Sequence, residues 1–221
     1  MEFNHLYKPP KCISEITYNA KIWSIPALID PDHVVFGSWE NAIHCVNIQS
    51  NDEKWRVDTD GPVYSSPICD GKGGVIVGSE DHTLRRLSPI GKIIWEFKSQ
   101  GAFHSSPTID RYNNNVYAGS FDNHIYCLDI DNGNCNWRKK FASDETDQLY
   151  SSPALTRYGD IIFAAERSIV SIKSNGSLRW KTETPYLVEG TAAICGEYNS
   201  GLIGSDDAGM IYYFLLLMVK Y

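Results

Sequence analysis

The chain has 221 residues, 43% of them hydrophobic, and carries 20 Lys and Arg against 27 Asp and Glu for a net charge of −7. That length can bury a sizeable core, while the acidic balance, with no basic run longer than Arg138-Lys139-Lys140, excludes a phosphate-tracking surface and with it a nucleic-acid partner. The longest apolar run, residues 211–219, is too short to cross a bilayer, so no membrane partner is expected.

In chain order, residues 1–12 hold no apolar core of the signal-peptide type, and the six cysteines (Cys12, Cys45, Cys69, Cys127, Cys135, Cys195) show no CxxC spacing. The expectation is a cytoplasmic chain with reduced, mostly buried thiols. From residue 23 onward a motif recurs: Trp23-Ser24-Ile25-Pro26, Tyr64-Ser65-Ser66-Pro67, His104-Ser105-Ser106-Pro107, Tyr150-Ser151-Ser152-Pro153 and, degraded, Glu189-Gly190-Thr191-Ala192. Its starts lie 41, 40, 46 and 39 residues apart.

Each start leads into a short apolar strand and then a second one that ends in a small-residue turn, as in Val75-Ile76-Val77-Gly78-Ser79 and Val116-Tyr117-Ala118-Gly119-Ser120. A third strand follows over residues 43–48, 84–87, 125–130, 169–173 and 211–215, and four copies then reach a tryptophan, Trp55, Trp95, Trp137 or Trp180, that opens a fourth. A four-stranded unit repeated at near-constant length must stack on copies of itself, which predicts an all-β, five-bladed β-propeller rather than a sandwich. The blades fall at about residues 23–60, 64–100, 104–141, 150–185 and 189–219 of one domain spanning 1–221. The fifth copy lacks a tryptophan, and residues 13–18 stand in the register of a fourth strand, so the N-terminal segment is expected to pair with the last blade and close the ring. Residues 142–149 form the one clear insertion, since Trp137 precedes Tyr150 by 13 residues where three other copies have nine.

The string Gly119-Ser120-Phe121-Asp122-Asn123-His124-Ile125-Tyr126-Cys127-Leu128-Asp129, running on through Asn132-Gly133 to Trp137, resembles the repeat of pyrroloquinoline-quinone-like β-propellers, and the Ser-Ser-Pro element fits the same family. The resemblance covers nearly all of residues 13–215. In dehydrogenase members it implies a quinone held by a stacking tryptophan, an adjacent-cysteine disulfide and calcium; members without those residues are binding scaffolds, outer-membrane assembly factors among them. This chain has no adjacent cysteine pair, so no cofactor is expected.

In such a propeller the first strands line the channel, and their starts share a face with the turns between second and third strands. One expected ring is therefore Trp23, Tyr64, His104, Tyr150 and Glu189, supported by Ser24, Ser65, Ser105, Ser151 and Gly190. The turns contribute Glu40, Asp81, Asp122, Arg167 and Asp207. His104 and Glu189 are the candidate acid–base pair, and Trp23, Tyr64 and Tyr150 the candidate cage for a cation or flat ligand. Plain channel-plugging, with the turn acids bonding turn amides, is the competing reading. The histidines show no HxH or HExxH spacing, so no metal site is expected. The expected function is a non-catalytic scaffold, a monomer or weak oligomer, that binds a protein, peptide or small molecule. The alternative is a small cofactor-independent cyclase or isomerase.

Overall fold

The computed structural model describes residues 15, 17–18, 20–141, 148–195, 200–204 and 209–215. It contains four antiparallel four-stranded sheets and one of three strands. The first sheet is β1 (Ala27–Asp30), β2 (His33–Ser38), β3 (Ala42–Asn47) and β4 (Glu53–Asp58); the second is β5 (Ile68–Cys69), β6 (Val75–Gly78), β7 (Thr83–Leu87) and β8 (Ile93–Lys98). The third is β9 (Thr108–Asp110), β10 (Asn115–Gly119), β11 (His124–Asp129) and β12 (Cys135–Lys140), and the fourth is β13 (Ala154–Leu155), β14 (Ile161–Ala164), β15 (Ser168–Ile172) and β16 (Leu178–Glu183). The last comprises β17 (Ala193–Cys195), β18 (Ser200–Gly204) and β19 (Ile211–Leu215). Every sheet is a meander in which neighbours in sequence pair, as the short Asn- and Gly-bearing turns require.

The second and third strands of the first four sheets are mostly buried on both faces: Val75, Ile76 and Val77 are all at 0–1% exposure. Their runs are therefore largely apolar, with the buried Arg85 and Arg86 of β7 paired to Asp81, Glu96 and Asp70, whereas the outer fourth strands, as in Glu53–Asp58 and Ile93–Lys98, place most residues in solvent. The buried faces form four clusters, each between consecutive sheets. Val35, Ile43, Val63, Val75 and Val77 join the first to the second; Ile76, Phe103, Val116 and Tyr126 join the second to the third. Tyr117, Leu149, Ile161 and Phe163 join the third to the fourth, and Ile162, Val188 and Ile203 join the fourth to the fifth. Among the described residues no cluster joins the fifth sheet to the first.

A β-bulge recurs in each pairing of third and fourth strands, so that Cys45 opposes Trp55 while Val46 opposes Glu53, with Arg86/Leu87, Cys127/Leu128 and Ser171/Ile172 repeating the shift. Each tryptophan thus lies third in its strand, not first as expected, just after the extra residue, where the added twist turns it toward the next sheet. There Trp55 Nε1 donates to Pro89 O, Trp95 Nε1 to Ile130 O and Trp137 Nε1 to Ser174 O, each at 2.9 Å. Their rings lie on Gly91, Gly133 and Gly176, all at positive φ. The tryptophans are packing groups between sheets.

Of residues 13–18, only Glu15, Thr17 and Tyr18 are described, and none lies in a strand. Tyr18 rests on the first sheet, its ring 5.1 Å from Phe36 and 4.7 Å from His44, and its hydroxyl donates to Glu53. The remainder of that segment and residues 142–147 of the insertion lie outside the described residues.

Candidate functional site

Two serines fix where each first strand begins. The first binds within its own sheet: Gly37 N donates to Ser24 Oγ at 2.8 Å, Gly78 N to Ser65 Oγ at 3.2 Å and Ala164 N to Ser151 Oγ at 3.1 Å, while Ser105 Oγ donates to Gly119 O at 3.1 Å. The second binds across sheets. Ile25 N donates to Ser66 Oγ, Ser66 N to Ser106 Oγ, Ser106 N to Ser152 Oγ and Ser152 N to Thr191 Oγ1, at 2.8, 2.9, 2.9 and 3.1 Å. This hydroxyl ladder holds the starts of the first strands side by side, and it begins at Ile25, which has no hydroxyl of its own.

The residues immediately before these serines consequently converge. The ring of Trp23 lies 5.3 Å from that of Tyr64, Tyr64 lies 4.8 Å from His104, and His104 lies 5.4 Å from Tyr150. Two further rings complete the row: Trp39 stands 4.6 Å from Trp23 and 5.3 Å from Tyr64, and Phe121 stacks on His104 at 5.2 Å and meets Tyr150 at 4.8 Å. Trp23 is 62% and Tyr150 38% exposed, so the row is open to solvent along part of its length. A strip of aromatic rings thus crosses four consecutive sheets.

The carboxylate that meets His104 is Glu80, whose Oε1 lies 2.9 Å from His104 Nδ1. Glu189, the partner expected from the sequence, acts instead on Tyr150: burial chiefly, then the charges of Glu189 and Glu80, push that phenol above the usual tyrosine range. Tyr64 is raised in the same sense, by burial first and then by Glu80. Glu80, Trp39 and Phe121 share one position, the residue between Ser and Asp in the Gly-Ser-x-Asp turn, with Glu166 at the corresponding place in the fourth sheet. The sequence reading took only the acid after this position; restriction of the position itself to aromatic and acidic residues was the available signal.

The turn acids do something else. Asp81 accepts from Thr83 N at 3.0 Å and Asp60 N at 3.2 Å and pairs with Arg85 at 2.7 Å, its side chain 3% exposed. Burial alone would raise its pKa, but Arg85 and the amides hold it below the ordinary aspartate range. Asp122 accepts from His124 N, from Gln100 N and from the Tyr126 hydroxyl. Both serve the turn and the junction with the preceding sheet, the role weighed against ligand binding. Arg167 does not share their column. The turn Ala165-Glu166-Arg167-Ser168 is one residue shorter than Ser79-Glu80-Asp81-His82-Thr83, so Arg167 replaces His82, its carbonyl accepting Thr184 N as that of His82 accepts Ser99 N. The exposed Arg167 stands beside Glu166, and Asp207 lies outside the described residues.

Among the described residues, the side chains do not make the site that a calcium-assisted quinone requires. Among the described residues no three His, Cys, Asp or Glu side chains come together as metal ligands would, and the free cysteines Cys45, Cys69, Cys127 and Cys135 include no adjacent pair.

A family model described as outer membrane protein assembly factor BamB matches residues 88–203, just over half of the chain. The human beta-alanine-activating enzyme is 30% identical over 112 residues, which cover 46% of this chain and 10% of that protein. Among solved structures, BamB from Moraxella catarrhalis superposes with a TM-score of 0.65 at 14% identity, covering 87% of this chain and 61% of the other. The WD40 β-propeller domain of Doa1 gives 0.66 at 17% identity, covering 83% and 60%, and the computationally designed Ika8 protein 0.68 at 14%, covering 86% and 57%. The chain therefore spans about a tenth of the curated relative and about three fifths of the solved structures it matches. Likeness at these identities establishes the propeller fold.

Proposed function

Because the chain belongs to the pyrroloquinoline-quinone-like propeller family whose model carries the description of BamB, we propose that it is a non-catalytic binding scaffold, working without a cofactor, that takes a polypeptide or small ligand at the face where the first strands begin. The observation that carries this reading is the aromatic strip from Trp39 through Trp23, Tyr64 and His104 to Phe121 and Tyr150. Exposed large aromatics held in fixed contact lose little side-chain freedom on binding and supply most of the energy of protein recognition sites. The name of the assembly factor BamB supports a protein partner. The 62% exposure of Trp23 supports an open face over a plugged channel.

The reading extends to architecture. The five sheets are the blades of one ring whose last junction is made by the N-terminal segment pairing with the fifth. Tyr18, lying against Phe36 and His44 of the first sheet, supports that placement. A cytoplasmic, monomeric or weakly self-associating protein is part of the same proposal, with four free thiols in its support.

The test is a peptide and metabolite thermal-shift screen of the wild type beside Tyr64→Leu and Trp23→Leu. A ligand of this face is expected to lose about 2 kcal/mol, or about thirtyfold in Kd, with either substitution. Equal affinities for all three proteins would place the binding elsewhere. A second reading, cofactor-independent acid–base chemistry, is favoured by the His104–Glu80 pair at 2.9 Å. Turnover of a bound compound by wild type, abolished in His104→Gln, would decide for it.

A further inference from the structure

The strip already holds one cation. Lys21 Nζ stands 4.7 Å from the centroid of Trp39, over the ring face where the π-quadrupole attracts positive charge. Beyond Trp39 the rings continue through Trp23 and Tyr64 to His104 and Tyr150 with no gap larger than 5.4 Å between centroids. The two positions that build this face hold Trp23, Tyr64, His104, Tyr150 and Glu189 ahead of the first strands and Trp39, Glu80, Phe121 and Glu166 in the turns, and neither includes a lysine or arginine. Acidic charge reaches these rings: Glu80 and Glu189 both act on Tyr150, and Glu80 also on Tyr64, each adding to burial in strengthening the phenol's hold on its proton.

We propose that this strip recognises the ammonium group of a lysine side chain presented by a partner polypeptide, with Trp23 and Tyr64 supplying ring faces and Glu80 the counter-charge. The proposal rests on the reading of this face as the binding face and adds the chemistry of what binds. Lys21 is its intramolecular example, an ammonium at one end of the strip, fixed in the chain because Trp39 N donates to Lys21 O at 3.0 Å. The alkyl stem of a lysine lies along aromatic surface while its head reaches a carboxylate, which suits a site made of rings with an acid among them. Glutamate would face Glu80 and Glu189, and norleucine would gain the stem contact alone.

The experiment uses the full chain and blocked five-residue peptide libraries, randomised except for a central lysine, norleucine or glutamate, with binding read by quenching of tryptophan fluorescence. The lysine library is expected to bind at least fivefold more tightly than the norleucine library and tenfold more tightly than the glutamate library. Glu80→Gln, which keeps a hydrogen bond to His104, should cut the lysine-to-norleucine ratio at least threefold. Lys21→Met, which frees the face of Trp39, should tighten lysine binding about twofold. Lysine and norleucine libraries that bind alike, yet both weaken in Tyr64→Leu, would overturn the lysine assignment and leave the binding face standing. Libraries that bind Tyr64→Leu as well as wild type would overturn both.

Discussion

At the scale of single residues, the junctions between sheets depend on glycines that meet tryptophans. Gly133 has φ +74°, and a Cβ there would stand 2.7 Å from Trp95 Cδ2. Gly159 has φ +81° with nothing within 4 Å of its missing Cβ. Gly159→Ala should therefore cost only the backbone strain, about 1 kcal/mol. Gly133→Ala must also displace a tryptophan and should cost about 2 kcal/mol or more, a fall in melting temperature of about 5 °C. Equal losses in thermal unfolding would show that Trp95 gives way freely. Gly133 was legible, since Asn132-Gly133 is a turn signal on its own. Glu80 was not, because its role depends on where one turn points relative to the next sheet: Asp81 folds back onto Thr83 N and Asp60 N, while the residue before it faces outward to His104. The shortened turn hid Arg167 in the same way, since one deleted residue shifts it from the column of Asp81 to that of His82.

At the scale of elements, the Ser-Ser-Pro motif divides its labour: the first serine ties β1, β5, β9 and β13 to their own sheets, and the second receives the backbone of the preceding sheet. Ser106→Ala would leave the half-buried amide of Ser66 without its acceptor and should cost about 1–2 kcal/mol. Ser66→Ala deprives the exposed amide of Ile25, which water can satisfy, and should cost less; chemical denaturation of the two variants measures the difference. The motif's spacing made the sheets readable, and the observed strands begin and end within about two residues of those expected. The bulge before each tryptophan was not readable, because Lys54, Ile94, Asn136 and Arg179 have nothing in common that marks an extra residue. Burial of β6, β7, β10 and β11 on both faces likewise follows from stacking and cannot be inferred from any one strand.

For the whole molecule, four junctions share the hydroxyl ladder, and the closing junction proposed above has to differ. Thr191 receives the last rung of the hydroxyl ladder, and Ile25 offers no hydroxyl to carry the ladder round to the first sheet. The closure proposed above would therefore rely on strand pairing and on contacts such as Tyr18 with Phe36 and His44. Removing residues 1–19 should then lower the melting temperature by at least about 5 °C, since a loss of 1 kcal/mol moves a chain of this size by about 2–4 °C. An unchanged transition would mean that the segment closes nothing.

The direction of the links between sheets bears on how the chain is made. The indole N–H groups of Trp55, Trp95 and Trp137 and each ladder amide belong to an earlier repeat, and the acceptor, whether Pro89 O, Ile130 O, Ser174 O or the next serine or threonine hydroxyl, belongs to the following one. A repeat leaving the ribosome therefore carries donors whose acceptors have not yet been synthesised. With starts about 40 residues apart and translation at about 5–20 residues per second, each waits about 2–8 s for the next. Folding on the ribosome trails synthesis by one repeat, and through that interval the tryptophan face of the newest sheet is what a chaperone would meet.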